Sequence, residues 1–168
     1  LTELDLRWRQ AGDATPETFA RALKAATEAA NGRIHTYAIE HPENRGMGTT
    51  ATVAGILGDT LYLTQVGDSR AYIFKGGELR AITEDQTWIQ EVGRPLGLDE
   101  ASLKTHPMRH VLTMAIGVSD QLRINSYVVQ LSEGMQFLLC SDGLHGVVGD
   151  DGIAEIFANE DNLEVKGK

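Results

Sequence analysis

A chain of 168 residues with 42% apolar and 23% charged side chains holds enough apolar material for one globular core and is short for two. Its 24 acidic and 15 basic residues leave a net charge of −9, which argues against nucleic acid or an anionic membrane as main partner and suits a cation site. The single cysteine, Cys140, closes no internal disulfide, no signal-peptide pattern opens the chain, and no apolar run reaches membrane-spanning length, so a reducing, cytoplasmic setting is expected.

Residues 1–14 are mixed and polar. Thr15-Pro16-Glu17 then has the chemistry of a helix start: a hydroxyl to cap, a proline that needs no donor, and an acid in the first turn. The spacing predicts a helix from Pro16 to about Ile39, with Phe19, Leu23, Ala26, Ala30, Ile34 and Tyr37 as its apolar face. Gly32 inside it costs about 1 kcal/mol relative to Ala, which points to close packing there. His35 and His41 read as ordinary helix-side residues.

Gly46-Met47-Gly48-Thr49-Thr50 leads into a strand over 51–57 and lacks the Lys and following helix of a phosphate-cradling loop. Gly58-Asp59 and Gly76-Gly77 are two-residue hairpin turns, joining strands 51–57 to 61–66 and 71–74 to 79–82. These four strands read as one antiparallel meander, since tight turns leave no room for crossover helices. Thr83-Glu84-Asp85-Gln86-Thr87 reads as a capped helix start with Trp88, Ile89 and Val92 on its apolar side. A mobile surface excursion with a short helix near Asp99–Leu103 fills 93–106. Strands over 121–131 and 135–140 follow, and Asp150-Asp151-Gly152 opens a last helix.

Two carboxylates stand at the ends of apolar strands. Phe137-Leu138-Leu139-Cys140 reads as a buried strand that stops at Ser141-Asp142-Gly143, and a carboxylate there is costly unless a charge meets it. Asp142 is therefore either a metal ligand on a rigid strand end or, with Ser141, a cap for the next helix. Val66-Gly67-Asp68-Ser69-Arg70 repeats the pattern. Asp68 is either a second ligand or a turn residue with Arg70 as its ion-pair partner.

The order of five motifs carries a resemblance: Gly46-Met47-Gly48-Thr49-Thr50, Val66-Gly67-Asp68-Ser69-Arg70-Ala71-Tyr72, Thr83-Glu84-Asp85-Gln86-Thr87-Trp88, His106-Pro107 to Ile116-Gly117, and Leu138-Leu139-Cys140-Ser141-Asp142-Gly143-Leu144. In this order and spacing, over roughly 20–158, the chain resembles the metal-dependent serine/threonine protein phosphatases of type 2C, most closely their bacterial branch. The resemblance implies an α+β fold of two packed antiparallel β-sheets flanked by helices. It also implies hydrolysis of phosphoserine and phosphothreonine by water activated on Mg²⁺ or Mn²⁺. Asp142 matches the family's Ser-Asp-Gly metal ligand, Asp68 matches the aspartate that helps hold a third metal, and 93–106 matches the flap that influences substrate choice. A phosphoprotein substrate and a partner Ser/Thr kinase are implied; a nucleic acid or a membrane segment is not. No protein nucleophile is needed, and no Ser/His/Asp or Cys/His set is evident.

By the same resemblance, residues 1–168 form a single phosphatase-like domain that is the middle portion of the family domain. The family's phosphate-binding Arg and bridging Asp-Gly are expected before Leu1, since Asp5 and Asp13 lack following glycines. Its Gly-X-Asp-Asn ligand is expected after Lys168, because Asp161-Asn162 follows the last helix too soon. Two other readings remain: a non-catalytic, phosphatase-like binding or regulatory module with an incomplete metal site, and an unrelated α+β domain whose aspartates only make turns.

Overall fold

The computed structural model describes residues 15–159. The polar stretch 1–14 and the Asp161-Asn162 dipeptide lie outside them.

The first helix, α1 (Pro16–Glu40), begins as its residues dictate: Thr15 accepts from the Thr18 backbone N–H, and Thr18 returns the bond to the Thr15 N–H. Its inward face is the predicted one only in part: Leu23, Phe19 and Ile34 point inward, but Ala30 and Tyr37 do not. Leu23, Thr27, Asn31 and Ala38 are buried, while Ala30 is exposed and Tyr37 is 46% exposed. Two polar residues can take this face because their groups are satisfied. Thr27 Oγ1 donates to the Leu23 carbonyl, and Asn31 accepts from the Gly117 N–H at 2.7 Å and donates to the Ser119 carbonyl at 2.9 Å. Gly32, expected in close packing, faces open space. Instead, the close approach to α1 occurs at Gly117 (φ +90°), where a Cβ would lie 2.3 Å from Ile34 Cγ2.

β1 (Ala51–Leu57) and β2 (Thr60–Val66) form the first hairpin, and β3 (Arg70–Lys75) and β4 (Glu78–Ala81) the second. They do not make one meander. β5 (Asn125–Gln130) adds to β2, giving the order β1-β2-β5, and β6 (Gln136–Cys140) adds to β3, giving β4-β3-β6. Between β2 and β3 the chain passes from one sheet to the other through Gly67-Asp68-Ser69. The two sheets close on Leu61, Leu63 and Ala71, with Ala54, Ile82, Tyr127, Val129 and Leu131 packed around them. On the outer side of the second sheet, Phe74 and Leu138 meet Ile153 and Phe157 of α3 (Asp142–Asn159). The predicted α+β sandwich of antiparallel sheets with outer helices is the observed fold.

β6 is an edge strand rather than a buried one. Leu139 pairs with Ala71 and Phe137 with Ile73, which places both on the face turned toward the other sheet. They nonetheless stay 42% and 39% exposed.

The predicted helix start at Thr83 slips by four residues. Thr83 Oγ1 instead accepts from the Ala71 N–H at 3.0 Å, and a single π-helical turn over Ile89–Gly93 follows Thr87 and Trp88. The excursion 93–106 carries α2 (Glu100–Thr105), capped by Asp99. It is anchored: Leu103 is 1% exposed, and a Cβ on Gly93 would lie 2.5 Å from Leu103 Cδ2. The Trp88 and His106 rings stack at 4.0 Å.

Candidate metal centre

β2 ends at Val66 and β6 at Cys140, and the antiparallel pairing of Arg70, at the start of β3, with Cys140 brings these ends together. Asp68 lies two residues past the first end and Asp142 two past the second. Burial holds the Asp68 carboxyl above the usual carboxylate range, and the negative charges of Asp142 and then Asp85 push it further. The two aspartates singled out from the sequence thus share one patch of negative potential.

The backbone leading into Asp68 is held from several sides. Gly67 has φ +96°, and a Cβ there would lie 2.3 Å from Thr50 Cγ2. Its N–H donates to Gln86 Oε1 at 2.8 Å; its carbonyl accepts from Gln65 Nε2 at 2.9 Å and from the Gln86 N–H at 3.0 Å. Gln86 also donates to the Arg123 carbonyl at 3.1 Å. Both glutamines are buried, so these bonds form away from competing water. On the far side of Asp68, Thr52 Oγ1 donates to the Ser69 carbonyl at 2.6 Å.

Arg70 does not pair with Asp68, as the turn reading supposed. Its guanidinium forks onto Asp85, Nε to Oδ1 at 2.8 Å and Nη2 to Oδ2 at 2.7 Å. Those hydrogen bonds push its pKa further up. Nη1 donates to the Tyr72 hydroxyl at 2.8 Å, and that hydroxyl donates to Asp150 Oδ1 at 2.7 Å. Burial pushes the Tyr72 phenol up to about 12. The network gives Asp85 a cationic partner and ties β3 to α3.

Asp142 stands on different ground. The sequence placed it at the end of a buried strand; in the fold it is exposed, as the first residue of α3. The cost of burying its charge therefore does not arise. Helix residues follow at once, with the Leu144 and His145 N–H groups donating to the Ser141 carbonyl at 3.1 and 3.4 Å. Gly143 is no site of close approach, since a Cβ there would meet Ser141 Oγ at an ordinary 3.4 Å. One turn along, the His145 ring donates from Nε2 to the Asp68 carbonyl at 3.1 Å.

The donor chemistry fits a hard divalent cation: two carboxylates, one of them with a raised pKa that a cation would relieve. Among the described residues no third His, Cys, Asp or Glu joins them in a ligand cluster. An ion held by these two protein oxygens would take water in its other positions. Sequence reasoning missed Gln65, Gln86, Asp85, Asp150 and His145. Asp85 and Gln86 lie inside the Thr83–Trp88 motif, which reads as a helix start; the others are signalled only by polar residues beside the two aspartate motifs.

Residues 3–91 match the family described as Protein phosphatase 2C. The chain is 30% identical over 152 residues to the serine/threonine phosphatase stp of Listeria monocytogenes, covering 90% of this chain and 60% of that protein. It is 34% identical over 133 residues to the serine/threonine protein phosphatase PstP of Mycobacterium tuberculosis, covering 79% of this chain and 26% of PstP. The chain thus spans 60% of the length of the Listeria relative. Among solved structures, the S. agalactiae serine/threonine phosphatase superposes with a TM-score of 0.89 at 27% identity, over 99% of this chain and 68% of that one. The Mycobacterium tuberculosis phosphatase PstP/Ppp gives 0.72 at 27% identity, over 94% and 67%. Turn aspartates on an unrelated scaffold would not produce this agreement in sequence and in topology, and the chain belongs to the protein phosphatase 2C family.

Proposed function

We propose that this chain is the middle portion of a metal-dependent phosphoprotein phosphatase, a single domain in which Asp68 and Asp142 are two oxygen ligands of a Mg²⁺ or Mn²⁺ ion. The observation that supports the reading is that Asp68 and Asp142 each lie two residues beyond the Arg70–Cys140 pair of the β3–β6 ladder, where burial and then the Asp142 charge raise the pKa of the Asp68 carboxyl. The family is metal-dependent, and its curated bacterial relatives are serine/threonine phosphatases. The substrate class is phosphoserine and phosphothreonine in proteins, with a Ser/Thr kinase as natural counterpart and the cytoplasm as the setting. No helix among the described residues is long and apolar enough to cross a membrane.

The chemistry supplied on binding such an ion is activation of a water and neutralisation of charge on the phosphoryl group. The protein's part is to hold the oxygens. Asp68 must lose its proton to ligate, so protons and metal compete for it. Arg70 is committed to Asp85 and Tyr72 and is therefore not assigned to phosphate.

The test is Mn²⁺ binding by electron paramagnetic resonance, beside hydrolysis of a phosphothreonine peptide with Mn²⁺ and with chelator. Asp142→Asn and Asp68→Asn should each weaken Mn²⁺ binding about tenfold or more. Hydrolysis should require the metal and fall in both variants. Unchanged Mn²⁺ binding in both would overturn the site. Binding without turnover would favour the non-catalytic, regulatory relative.

A further inference from the structure

The two candidate ligands flank one end of the β3–β6 ladder. Its last pair is Arg70 with Cys140, and Asp68 in the crossover and Asp142 at the start of α3 each lie two residues beyond it. Past that pair the ladder stops, so the contacts beyond it set how far apart the carboxylates stand.

His145 makes one such contact. It lies three residues after Asp142, one helical turn on, so the two share a side of α3. Its Nε2 is 3.1 Å from the backbone carbonyl of Asp68, across 77 positions of sequence. A carbonyl oxygen only accepts, so Nε2 carries the proton. The neutral Nε2–H tautomer and the imidazolium both donate there, so the bond does not depend on the ring's charge. The ring is half-buried, which limits competition from water.

The contact falls where it has most leverage. The Gly67 peptide is already fixed by Gln65 and Gln86, so the Asp68 carbonyl is a stationary acceptor. Asp142, by contrast, is exposed; the hydrogen bonds of its turn to the Ser141 carbonyl are local, and below it Leu144 packs on the Phe74, Ile153 and Phe157 cluster. Gly149, with φ 75° and ψ 163°, interrupts the helix after this turn.

We propose that His145 is a positioning residue: its bond to the Asp68 carbonyl docks the first turn of α3 onto the crossover and thereby sets the metal affinity of the Asp68–Asp142 pair. The inference rests on the reading of that pair as metal ligands.

The experiment is Mn²⁺ binding by the 168-residue chain, followed by electron paramagnetic resonance, with thermal melting by circular dichroism on each sample. His145→Ala should bind Mn²⁺ about tenfold more weakly, the size of effect typical for a group that orients a ligand. His145→Gln keeps an amide N–H near the position of Nε2 and should recover most of that loss. The metal-free melting temperature should stay close to the parent in both. Parent-like binding in His145→Ala would overturn the proposal, as would a glutamine variant that folds yet binds no better than the alanine one. If His145→Ala fails to fold, the glutamine variant decides alone, with parent-like binding as the expected result. Asp142→Asn separates the two levels. If it weakens binding while His145→Ala does not, only the positioning role fails; if it leaves binding unchanged, the ligand assignment fails first and takes this proposal with it.

Discussion

Asp68 and Asp142 meet at one site from two kinds of backbone. The Asp68 side is over-determined: a glycine at φ +96° lies against Thr50, and two buried glutamines grip the peptide before the carboxylate. The Asp142 side is a helical turn with an exposed carboxylate, held by bonds to its own Ser141, by Leu144 on the Phe74 cluster and by His145 on the Asp68 carbonyl. The contrast separates two ways of presenting a charged ligand. A half-buried carboxylate needs a rigid, satisfied frame, because any relaxation leaves polar groups stranded away from water. A carboxylate already in water needs only to be aimed.

The same substitution on both sides should have unequal effects. Gly67→Ala forces a Cβ to within 2.3 Å of Thr50 Cγ2 at a positive φ, so the crossover must shift. A loss of about 2–4 kcal/mol is expected from overpacking plus strain, read as a large drop in urea midpoint. Gly143→Ala has space and a helical backbone and should change stability by no more than about 1 kcal/mol, in the stabilising direction. Equal losses at the two glycines would erase the distinction.

Next in size, Gln86→Ala strands the buried Gly67 N–H and removes the donor to the Arg123 carbonyl. A cost of about 1–3 kcal/mol follows for the unsatisfied groups, measurable by chemical denaturation. Parent-like stability would mean that water replaces the side chain and that the frame is less rigid than its hydrogen bonds imply.

The smallest effect concerns protons. Asp68 has a folded-state pKa above its unfolded value because of burial, then Asp142, then Asp85. A raised acid binds its proton more tightly in the fold. Its contribution to metal-free stability is therefore fully present below the unfolded pKa and is lost as pH rises through the folded one. Asp68→Asn should flatten that part of the stability profile and leave the metal-free fold slightly more stable at neutral pH. Thermal melts across mildly acidic pH in the presence of chelator test this. A profile identical in parent and variant would place the carboxylate in ordinary solvent.

Much of the frame could be read from local chemistry. Thr15-Pro16-Glu17 starts α1 where expected, and Gly58-Asp59 and Gly76-Gly77 turn both hairpins. Motif order picked out Asp68 and Asp142 as neighbours in space, and the raised carboxyl of Asp68 agrees. What escaped was set by distant partners. Thr27 and Asn31 displaced Ala26 and Ala30 from the buried face of α1 because Thr64, Gly117 and Ser119 satisfy them. Thr83 looks like a helix cap but serves the Ala71 N–H, which no local pattern reveals. Gly67-Asp68-Ser69 resembles a third hairpin turn, although the chain there changes sheets. An apolar run such as Phe137-Leu138-Leu139 looks the same in the middle of a sheet as at its edge.

The break at Gly149 divides α3 into halves. The later half holds Ile153 and Phe157 against Phe74, while the earlier half carries Asp142 and His145. Leu144 ties the earlier half to that same cluster across the interruption, so the two duties alternate along the helix rather than divide at the break. Random mutagenesis of this protein should therefore find that changes at Asp142 and His145 move metal affinity first, that changes at Leu144, Ile153 and Phe157 move stability first, and that the exposed Val147 moves neither.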